Sequence, residues 1–187
     1  VEDDRGVLVV ALDEGDRLLS VKNTDGSKHL FLATADGMSI RFPESDCRPM
    51  GRATAGVRGI SLRKGDRVIG MEALEKEGAI LTAAERGVGK RTPIGEYREQ
   101  GRGGLGVINL KVGTKTGPVV GIVQVQPGDQ LILITQEGMI IRTAVDSAIA
   151  GSPFSGRSDS SSALPQYIVS VPVLTCWMKS TFRAART

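Results

Sequence analysis

Arginine recurs at a fixed spacing in this sequence, in a pattern suited to binding phosphate groups. Arg41, Arg91 and Arg142 follow one another at intervals of 50 and 51 residues, and Arg52 and Arg102 are also 50 residues apart. The planar guanidinium of arginine binds a phosphate through two parallel hydrogen bonds. Equivalent arginines on successive units therefore predict a surface that binds a polyanion along its backbone without reading base edges.

Other basic residues extend this predicted surface. Residues 47–64 contain five arginines and lysines and no acid, although the formal net charge of the whole chain is only +3. A solvated strand surface is the alternative interpretation of such residues, and their recurrence in register favours phosphate binding. The predicted phosphate contacts are Arg41, Arg48, Arg52, Arg58, Lys90, Arg91, Arg98, Arg102 and Arg142.

A glycine-rich loop, "QGRGGLG", occupies positions 100–106 and matches the G-x-G-x-x-G dinucleotide pattern from 101 to 106. That pattern holds a pyrophosphate where a helix follows the loop. Here "VINLKV" follows, which is a strand pattern, so dinucleotide binding is disfavoured. Turn geometry, or close approach of backbone N–H groups to phosphates, explains the glycines better. The loop consists of Gln100, Gly101, Arg102, Gly103, Gly104, Leu105 and Gly106.

These residues lie in a repeat of about fifty residues. "FLATADGMSIRF" (31–42) is similar to "ILTAAERGVGKRT" (80–92) and to "ILITQEGMIIRT" (132–143), and "MGRATAGVRGISL" (50–62) matches "QGRGGLGVINL" (100–110). The opening "RGVLVVALDEGDRLLSV" aligns with "AGVRGISLRKGDRVIGM" as the end of an earlier copy. The units lie near 1–28, 29–78, 79–128 and 129–151.

Each unit contains short β-branched segments bounded by turn residues, which is the pattern of strands. "ADG", "EGD", "KGD" and "PGD" are turn signals, because Asp bonds its own backbone and Gly accepts a positive φ. About four strands per fifty residues predict an all-β, propeller-like repeat of four-stranded blades, with about two full blades and partial ones beside them. The predicted strands are "GVLVVAL", "RLLSV", "HLFLAT", "MSIRF", "GVRGISL", "RVIGM", "AILTA", "GVINLKV", "PVVGIVQV" and "QLILIT".

Composition argues against several other classes of protein. Two cysteines and one histidine are too few for a disulfide framework or a zinc site, and they fit a reducing cytoplasm. No apolar run reaches the roughly 20 residues of a membrane-spanning helix. The acidic start is unlike a signal peptide and lacks an initial methionine, which indicates a piece of a longer protein.

The repeat resembles a known family, the C-terminal domain of the DNA gyrase A subunit. "LATADGMSIRFPESDCRPMGRATAGVRGISLRKGDRVIGM" and "ILTAAERGVGKRTPIGEYREQGRGGLGVINLKV" resemble two successive blades of that domain. "ILITQEGMIIRTAVDSAIAG" resembles the start of the next blade. The resemblance covers residues 1–151 and implies a β-pinwheel, a propeller-like disc that wraps DNA around a basic rim.

The resemblance also implies an enzymatic setting, an ATP-hydrolysing type II topoisomerase that introduces negative supercoils. The implied partners are double-stranded DNA, the rest of the dimeric A subunit and the B subunit, which together form an A2B2 complex. The implied location is the cytoplasm, with no contact to a membrane. ATP and magnesium belong to other parts of that complex, so no cofactor or metal is expected in this chain. Neither Tyr97 nor Tyr167 matches the setting of the family's DNA-cleaving tyrosine, so no catalytic residue is expected either.

The family's wrapping box, Gln-Arg-Arg-Gly-Gly-Lys-Gly, sits on the first blade. The loop at 100–106 resembles it, but Gly101 stands where the first arginine belongs and Leu105 where the lysine belongs. We interpret this loop as a later blade's degenerate counterpart, with the true box upstream.

Two other functions and one unusual segment complete the sequence-based expectations. The equivalent domain of topoisomerase IV, which wraps DNA poorly, is the nearest alternative, and a propeller that binds protein partners is the alternative from another class.

Residues 152–187 break the repeat and are rich in serine at their start. We expect them to be a non-homologous tail, either frameshifted or disordered.

Overall fold

The computed structural model describes residues 12–50, 55–135, 140–145, 167–169 and 182–183. Within them the chain forms strands and two short 3₁₀ turns, Glu44–Asp46 and Ile94–Glu96, so the predicted all-β class is confirmed. The strands are β1 His29–Thr34, β2 Met38–Pro43, β3 Val57–Arg58, β4 Val68–Leu74, β5 Ala79–Ala84, β6 Gly89–Pro93, β7 Val107–Ile108, β8 Val119–Val125, β9 Gln130–Thr135, β10 Ile140–Ala144, β11 Tyr167–Val169 and β12 Phe182–Arg183.

Each complete unit is built around one tight antiparallel hairpin. β1 pairs with β2 and β5 pairs with β6 in the same register, fifty residues apart. The "ADG" signal forms the first turn, where Gly37 donates its N–H to the Thr34 carbonyl at 3.0 Å and adopts a φ of +77°. Gly87 makes the same bond to Ala84 in the second turn, also at 3.0 Å.

The two complete units are interlocked through a shared sheet. The first sheet has the strand order β4-β1-β2-β7, so its last strand comes from the following sequence unit. β7 pairs with the start of β2, and the N–H of Asn109 bonds the Gly37 carbonyl at 2.8 Å. The second sheet, β6-β5-β8, repeats the arrangement of the first three strands.

The central strand β1 is buried on both sides, as expected for a strand between stacked blades. Leu30 and Leu32 pack into the core of their own unit, together with Phe42. Phe31 faces the other way and packs with Ile80 of β5, which joins the two units. Side chains that alternate along β1 therefore pack into two apolar layers, one within the blade and one between blades.

The structure corrects two strand predictions. Residues 17–21 ("RLLSV") are not a strand, and Leu18 and Leu19 are each more than half exposed. Its counterpart β4 is held by pairing with the hairpin strand β1, whereas no hairpin precedes residues 17–21 among the described residues. The segments "GVRGISL" and "GVINLKV" contribute only the two-residue strands β3 and β7, because glycine-directed loop contacts replace the rest of the ladder.

The remaining strands extend the pattern toward the tail. β9 and β10 form a third hairpin, and β11 pairs with β9 on its other side. β12 pairs with β3 in parallel. Most of residues 152–187, and the predicted strand at 6–12 apart from Leu12, lie outside the described residues. In the part of the chain that the structure describes, no helix is long and apolar enough to span a bilayer.

Candidate nucleic-acid interface

The glycine-rich loop at 100–106 lies along the free edge of the first sheet. On the way into the loop, Gln100 donates its N–H to the Arg41 carbonyl of β2 at 2.9 Å. On the way out, Val107 pairs with Ser39 in the same strand. The loop therefore projects between two points of attachment to a single strand, β2, and leads into β7, the last strand of that sheet. The opposite edge strand, β4, packs toward β8 of the next blade.

A second set of bonds ties the loop to the segment after β3. Gly103 donates its N–H to the Gly59 carbonyl at 2.8 Å, and Ser61 donates its N–H to the Gly104 carbonyl at 2.9 Å. The Ser61 hydroxyl also bonds the Gly103 carbonyl at 2.7 Å. The loop is thus a shaped, anchored element of the edge.

The glycines of the loop differ in how much space surrounds them. Gly106 has a φ of +76°, and a Cβ there would lie 2.2 Å from the Ser39 carbonyl oxygen, so only glycine fits. Gly101 faces open space, with no atom within 4 Å of the position that a Cβ would take. Leu105 is 63% exposed. The two positions where the loop departs from the family's box therefore both project into solvent.

Arg102 fastens the loop to the preceding unit. Its Nη1 donates to the Arg58 carbonyl at 2.8 Å and its Nε to the Asp46 carbonyl at 3.2 Å. The side chain is half-buried in this position. Arg102 consequently holds the edge together and contributes positive charge to it at the same time.

Three of the predicted cations are exposed around the loop: Arg48, Arg58 and Arg98. Arg48 lies two residues after Asp46, and Asp46 contacts Arg102. The Arg58 side chain approaches Gly103. None of the three guanidinium groups has a hydrogen bond or ion pair within the described residues. We call Arg48, Arg58, Arg98 and Arg102 the edge cluster.

Arg41 has a different environment from the one that its spacing predicts. It is half-buried, and its Nη1 donates to the carbonyls of Ile94 and Tyr97 in the second 3₁₀ turn, at 3.1 and 3.2 Å. The guanidinium therefore caps the main chain of the next unit. Recurrence of this arginine has a packing explanation, and we leave Arg41 out of the proposed phosphate surface.

The other predicted contacts are Lys90, Arg91, Arg142 and Arg52. Arg91 is half-buried on β6, and Lys90 donates to the Asn109 carbonyl at 3.3 Å. Arg142 is exposed on β10, where its Nε bonds the Gln130 side chain. Arg52 lies outside the described residues. Phosphate contact by these four residues stays a prediction.

A buried polar network behind the loop is absent from the sequence-based expectations. The Tyr97 hydroxyl donates to Asn109 Oδ1 at 2.6 Å, and Asn109 Nδ2 donates to the Thr82 hydroxyl at 2.8 Å. Phe31 packs edge-on against the Tyr97 ring, with centroids 4.8 Å apart. Burial raises the pKa of Tyr97 to about 12. At the fifty-residue spacing of the repeat Asn109 corresponds to Gly59, and this change from glycine to a polar side chain is the signal that could have identified it.

His29 and Cys47 lie near the same edge. His29 is the first residue of β1, and its Nε2 is 2.6 Å from the Glu99 carboxylate. Cys47 follows the first 3₁₀ turn, and burial raises the pKa of its thiol to about 11. The thiol is therefore neutral at physiological pH and packs as an apolar group.

Comparison with known proteins identifies relatives of this architecture. Residues 3–25, 28–75, 79–126 and 129–149 match the family described as "DNA gyrase C-terminal domain, beta-propeller". The DNA gyrase A subunit of Clostridium acetobutylicum is 49% identical over 140 residues, which cover 75% of this chain and 17% of that protein. The chain thus spans about a sixth of the length of the curated relatives it matches.

Two solved structures share the fold. A DNA gyrase A C-terminal domain superposes with a TM-score of 0.73 at 25% identity, covering 80% of this chain and 54% of the other. The C-terminal domain of a DNA topoisomerase IV superposes with a TM-score of 0.72 at 28% identity, covering 78% of this chain and 48% of the other. These matches confirm the resemblance and the predicted pinwheel, a propeller-like repeat of blades.

Proposed function

Because this chain belongs to the family of DNA gyrase A C-terminal domains, we propose that it binds duplex DNA and bends it along the sheet edge formed by the loop at 100–106. The binding is sequence-tolerant, since it uses phosphate contacts and not base edges. In the full topoisomerase, such wrapping supports ATP-dependent negative supercoiling.

The observation that carries this proposal is the edge cluster on its anchored loop. Arg48, Arg58 and Arg98 are exposed and without a partner in the described residues, and they surround a loop fixed by hydrogen bonds on both sides. The anchored main chain of the loop does not have to be ordered on binding, which lowers the entropic cost of binding phosphate at this edge. Equivalent edges on successive blades would give DNA a curved track.

The proposed setting is the gyrase A2B2 complex in the cytoplasm, associated with the nucleoid. In that setting the chain supplies DNA binding, and the DNA-cleaving tyrosine, ATP and magnesium belong to other parts of the complex. We assign no catalytic residue or cofactor to the 187 residues.

The C-terminal domain of topoisomerase IV is a second candidate, favoured by one observation. Its superposition is nearly as good as that of the gyrase domain, and the sequence identity is slightly higher. An intact box upstream in the full-length protein would decide for gyrase.

The salt dependence of DNA binding tests the proposed function. We expect log Kd for a duplex to depend on log salt with a slope of about 0.9 for each phosphate neutralised, and Arg58→Gln to reduce that slope by about one phosphate's share. Lys76→Gln is the matched control, because Lys76 is equally exposed but follows β4 on the other side of the sheet. A chain whose duplex affinity does not change between 50 and 300 mM salt would instead be a protein-interaction module.

A further inference from the structure

The strands of the two complete units end on two opposite surfaces, and each surface is assembled from several segments. At the hairpin end, the turns at 35–37 and 85–87 contact residues 63–67 and 109–118. Ala35 donates its N–H to the Arg67 carbonyl at 2.9 Å, and Arg86 donates its N–H to the Thr116 carbonyl at 3.1 Å. Leu110 bonds the Gly37 carbonyl at 3.2 Å.

The other surface, the turn end, gathers the 3₁₀ turns and the connections between units. Glu44 donates its N–H to the Lys28 carbonyl at 2.9 Å, and Ile94 donates to the Gly78 carbonyl at 3.1 Å. Six-residue strands such as β1 separate the two ends by about 17 Å, at 3.3 Å per residue. This distance exceeds the Debye length of about 8 Å at physiological salt, so each end acts on ligands by its own charge.

The hairpin end is basic. Asp36 and Glu85 are its acids that reach solvent, because Asp66 is only 3% exposed and accepts the N–H groups of Asp36 and Arg67. Its exposed cations are Arg63, Lys64, Arg67, Arg86, Lys111 and Lys115. None of these six side chains has an acidic partner within the described residues.

The turn end is acidic. Its exposed acids are Asp25, Asp46, Glu75, Glu77, Glu96, Glu99 and Asp129, against the cations Lys28, Arg48, Lys76 and Arg98. Part of that positive charge is already paired, since Lys28 forms an ion pair with Glu75. The two ends of the same blades therefore carry opposite net charge.

We infer that the hairpin end is a further binding surface for the phosphate backbone of duplex DNA, separate from the edge cluster. This inference rests on the proposed function for the presence of DNA. Arg63 and Lys64 sit in a turn closed by the Asp66 N–H on the Arg63 carbonyl at 3.1 Å, and Lys115 sits in one closed by Gly117 on the Gly113 carbonyl at 2.9 Å. These tight turns fix the main chain that carries the three cations, so the cations are presented at set positions to a DNA backbone.

The chemistry of the hairpin end favours DNA over an acidic protein. A protein interface has an apolar centre, with charged residues depleted there. At this end the large apolar side chains on the surface of the described residues are Val112, 38% exposed, and Ile108, 60% exposed, which pairs with Met38 beside the first turn. Six exposed cations outnumber these two apolar side chains, and a predominantly charged surface suits a phosphate backbone.

The unit that precedes residue 29 does not continue the basic turn. The counterpart of the "RKGD" turn one unit earlier is "DEGD" at 13–16, which is acidic. DNA crossing the hairpin end would therefore be held by the units 29–78 and 79–128 and not by the preceding one.

Neutralising the turns tests the inference in the full chain. We compare R63Q/K64Q/K111Q/K115Q with the edge variant R48Q/R58Q/R98Q, using thermal melting to establish folding and a duplex of about 40 base pairs for binding. The hairpin-end variant should melt like the parent, while its log–log salt slope falls by about 0.9 for each phosphate no longer neutralised and its affinity at 0.15 M salt falls about tenfold or more.

The outcomes separate the two proposals. Unchanged slope and affinity in the hairpin-end variant, with a loss in the edge variant, would overturn the inference and leave the proposed function intact. If the parent chain itself does not bind the duplex, the proposed function fails first. A variant that loses affinity for polyglutamate while keeping its affinity for DNA would show an acidic-protein site and also overturn the inference.

Discussion

At the scale of single residues, arginine serves two different purposes in this chain. Arg41 donates to two main-chain carbonyls of the next unit, whereas Arg58 and Arg98 are exposed at the sheet edge. A hydrogen bond from a charged group contributes about 1.5–3 kcal/mol to stability, which is enough to explain an arginine at position 41. An arginine that recurs in register can therefore serve packing as well as ligand contact.

The glycines of the loop give a sharp test at the same scale. Gly106→Ala should lower the free energy of unfolding by more than about 2 kcal/mol, because its Cβ would lie 2.2 Å from the Ser39 carbonyl at a φ of +76°. Gly101→Ala is the matched control and should be nearly neutral, since nothing lies within 4 Å of its Cβ position. Urea unfolding of both variants measures the difference, and equal midpoints would contradict the geometry of the loop.

At the scale of elements, the two complete units are joined by shared strands and by one buried polar network. β7 completes the first sheet, and Asn109, two residues after Val107, bonds both Tyr97 and Thr82. Such a network stabilises the interface only while each member is paired. The interface between blades is therefore sensitive to the protonation of Tyr97.

Alkaline pH should weaken this interface. The pKa of Tyr97 is about 12 in the folded chain against an ordinary value of 10.0, so the folded state holds this proton more tightly than the unfolded state does. The stabilisation is complete below pH 10 and is lost as the pH rises from 10 through 12. Cys47, with a pKa raised to about 11 from 9.0, acts in the same direction.

Thermal melts between pH 8 and 12 measure this effect. Tyr97→Phe should melt at a lower temperature at pH 8, because Asn109 Oδ1 loses its donor, and should decline less steeply above pH 10. Cys47→Ser isolates the contribution of the thiol. Parallel pH profiles for the parent chain and Tyr97→Phe would rule out the titration of Tyr97 as the cause.

At the scale of the whole molecule, the distribution of charge matters more than its sum. The formal net charge of +3 conceals a basic hairpin end, an acidic turn end and an edge cluster between segments of both signs. Asp46 and Glu99 lie beside the edge cluster and reduce its positive potential. A duplex held at this edge would thus be drawn toward the hairpin end.

Restoring the two missing charges of the loop should strengthen wrapping. Gly101→Arg together with Leu105→Lys adds two solvent-facing cations without a steric clash, because Gly101 faces open space and Leu105 is 63% exposed. The slope of log Kd against log salt concentration should rise by about 1.8, for two further phosphates neutralised. A plasmid relaxed with the double variant bound should also retain more positive writhe than with the parent chain.

The neutral pair Gly101→Gln and Leu105→Gln is the control, with the same polar bulk and no charge. If both double variants raise the trapped writhe equally, charge at the loop is not what limits wrapping. If neither variant changes it, DNA does not follow this edge.

The class of fold and the repeat could be predicted from the sequence alone. Hairpins such as β1–β2 and β5–β6 were predictable, because strand alternation and the turn signal "ADG" are local features that depend on a few neighbouring residues. The loop at 100–106 was also predictable, since Gly103 and Gly106 adopt a positive φ that other residues rarely adopt.

Only the tertiary structure decided which arginines face solvent. Arg41 and Arg58 have the same side chain and were both predicted to contact phosphate, yet Arg41 caps a neighbouring unit and Arg58 lies exposed at an edge. That choice depends on how β7 of one unit joins the sheet of another, a pairing between residues seventy positions apart, such as Met38 and Ile108. Spacing along the chain shows which residues are equivalent in successive units. Whether an equivalent side chain is exposed depends on the neighbours that tertiary packing places around it.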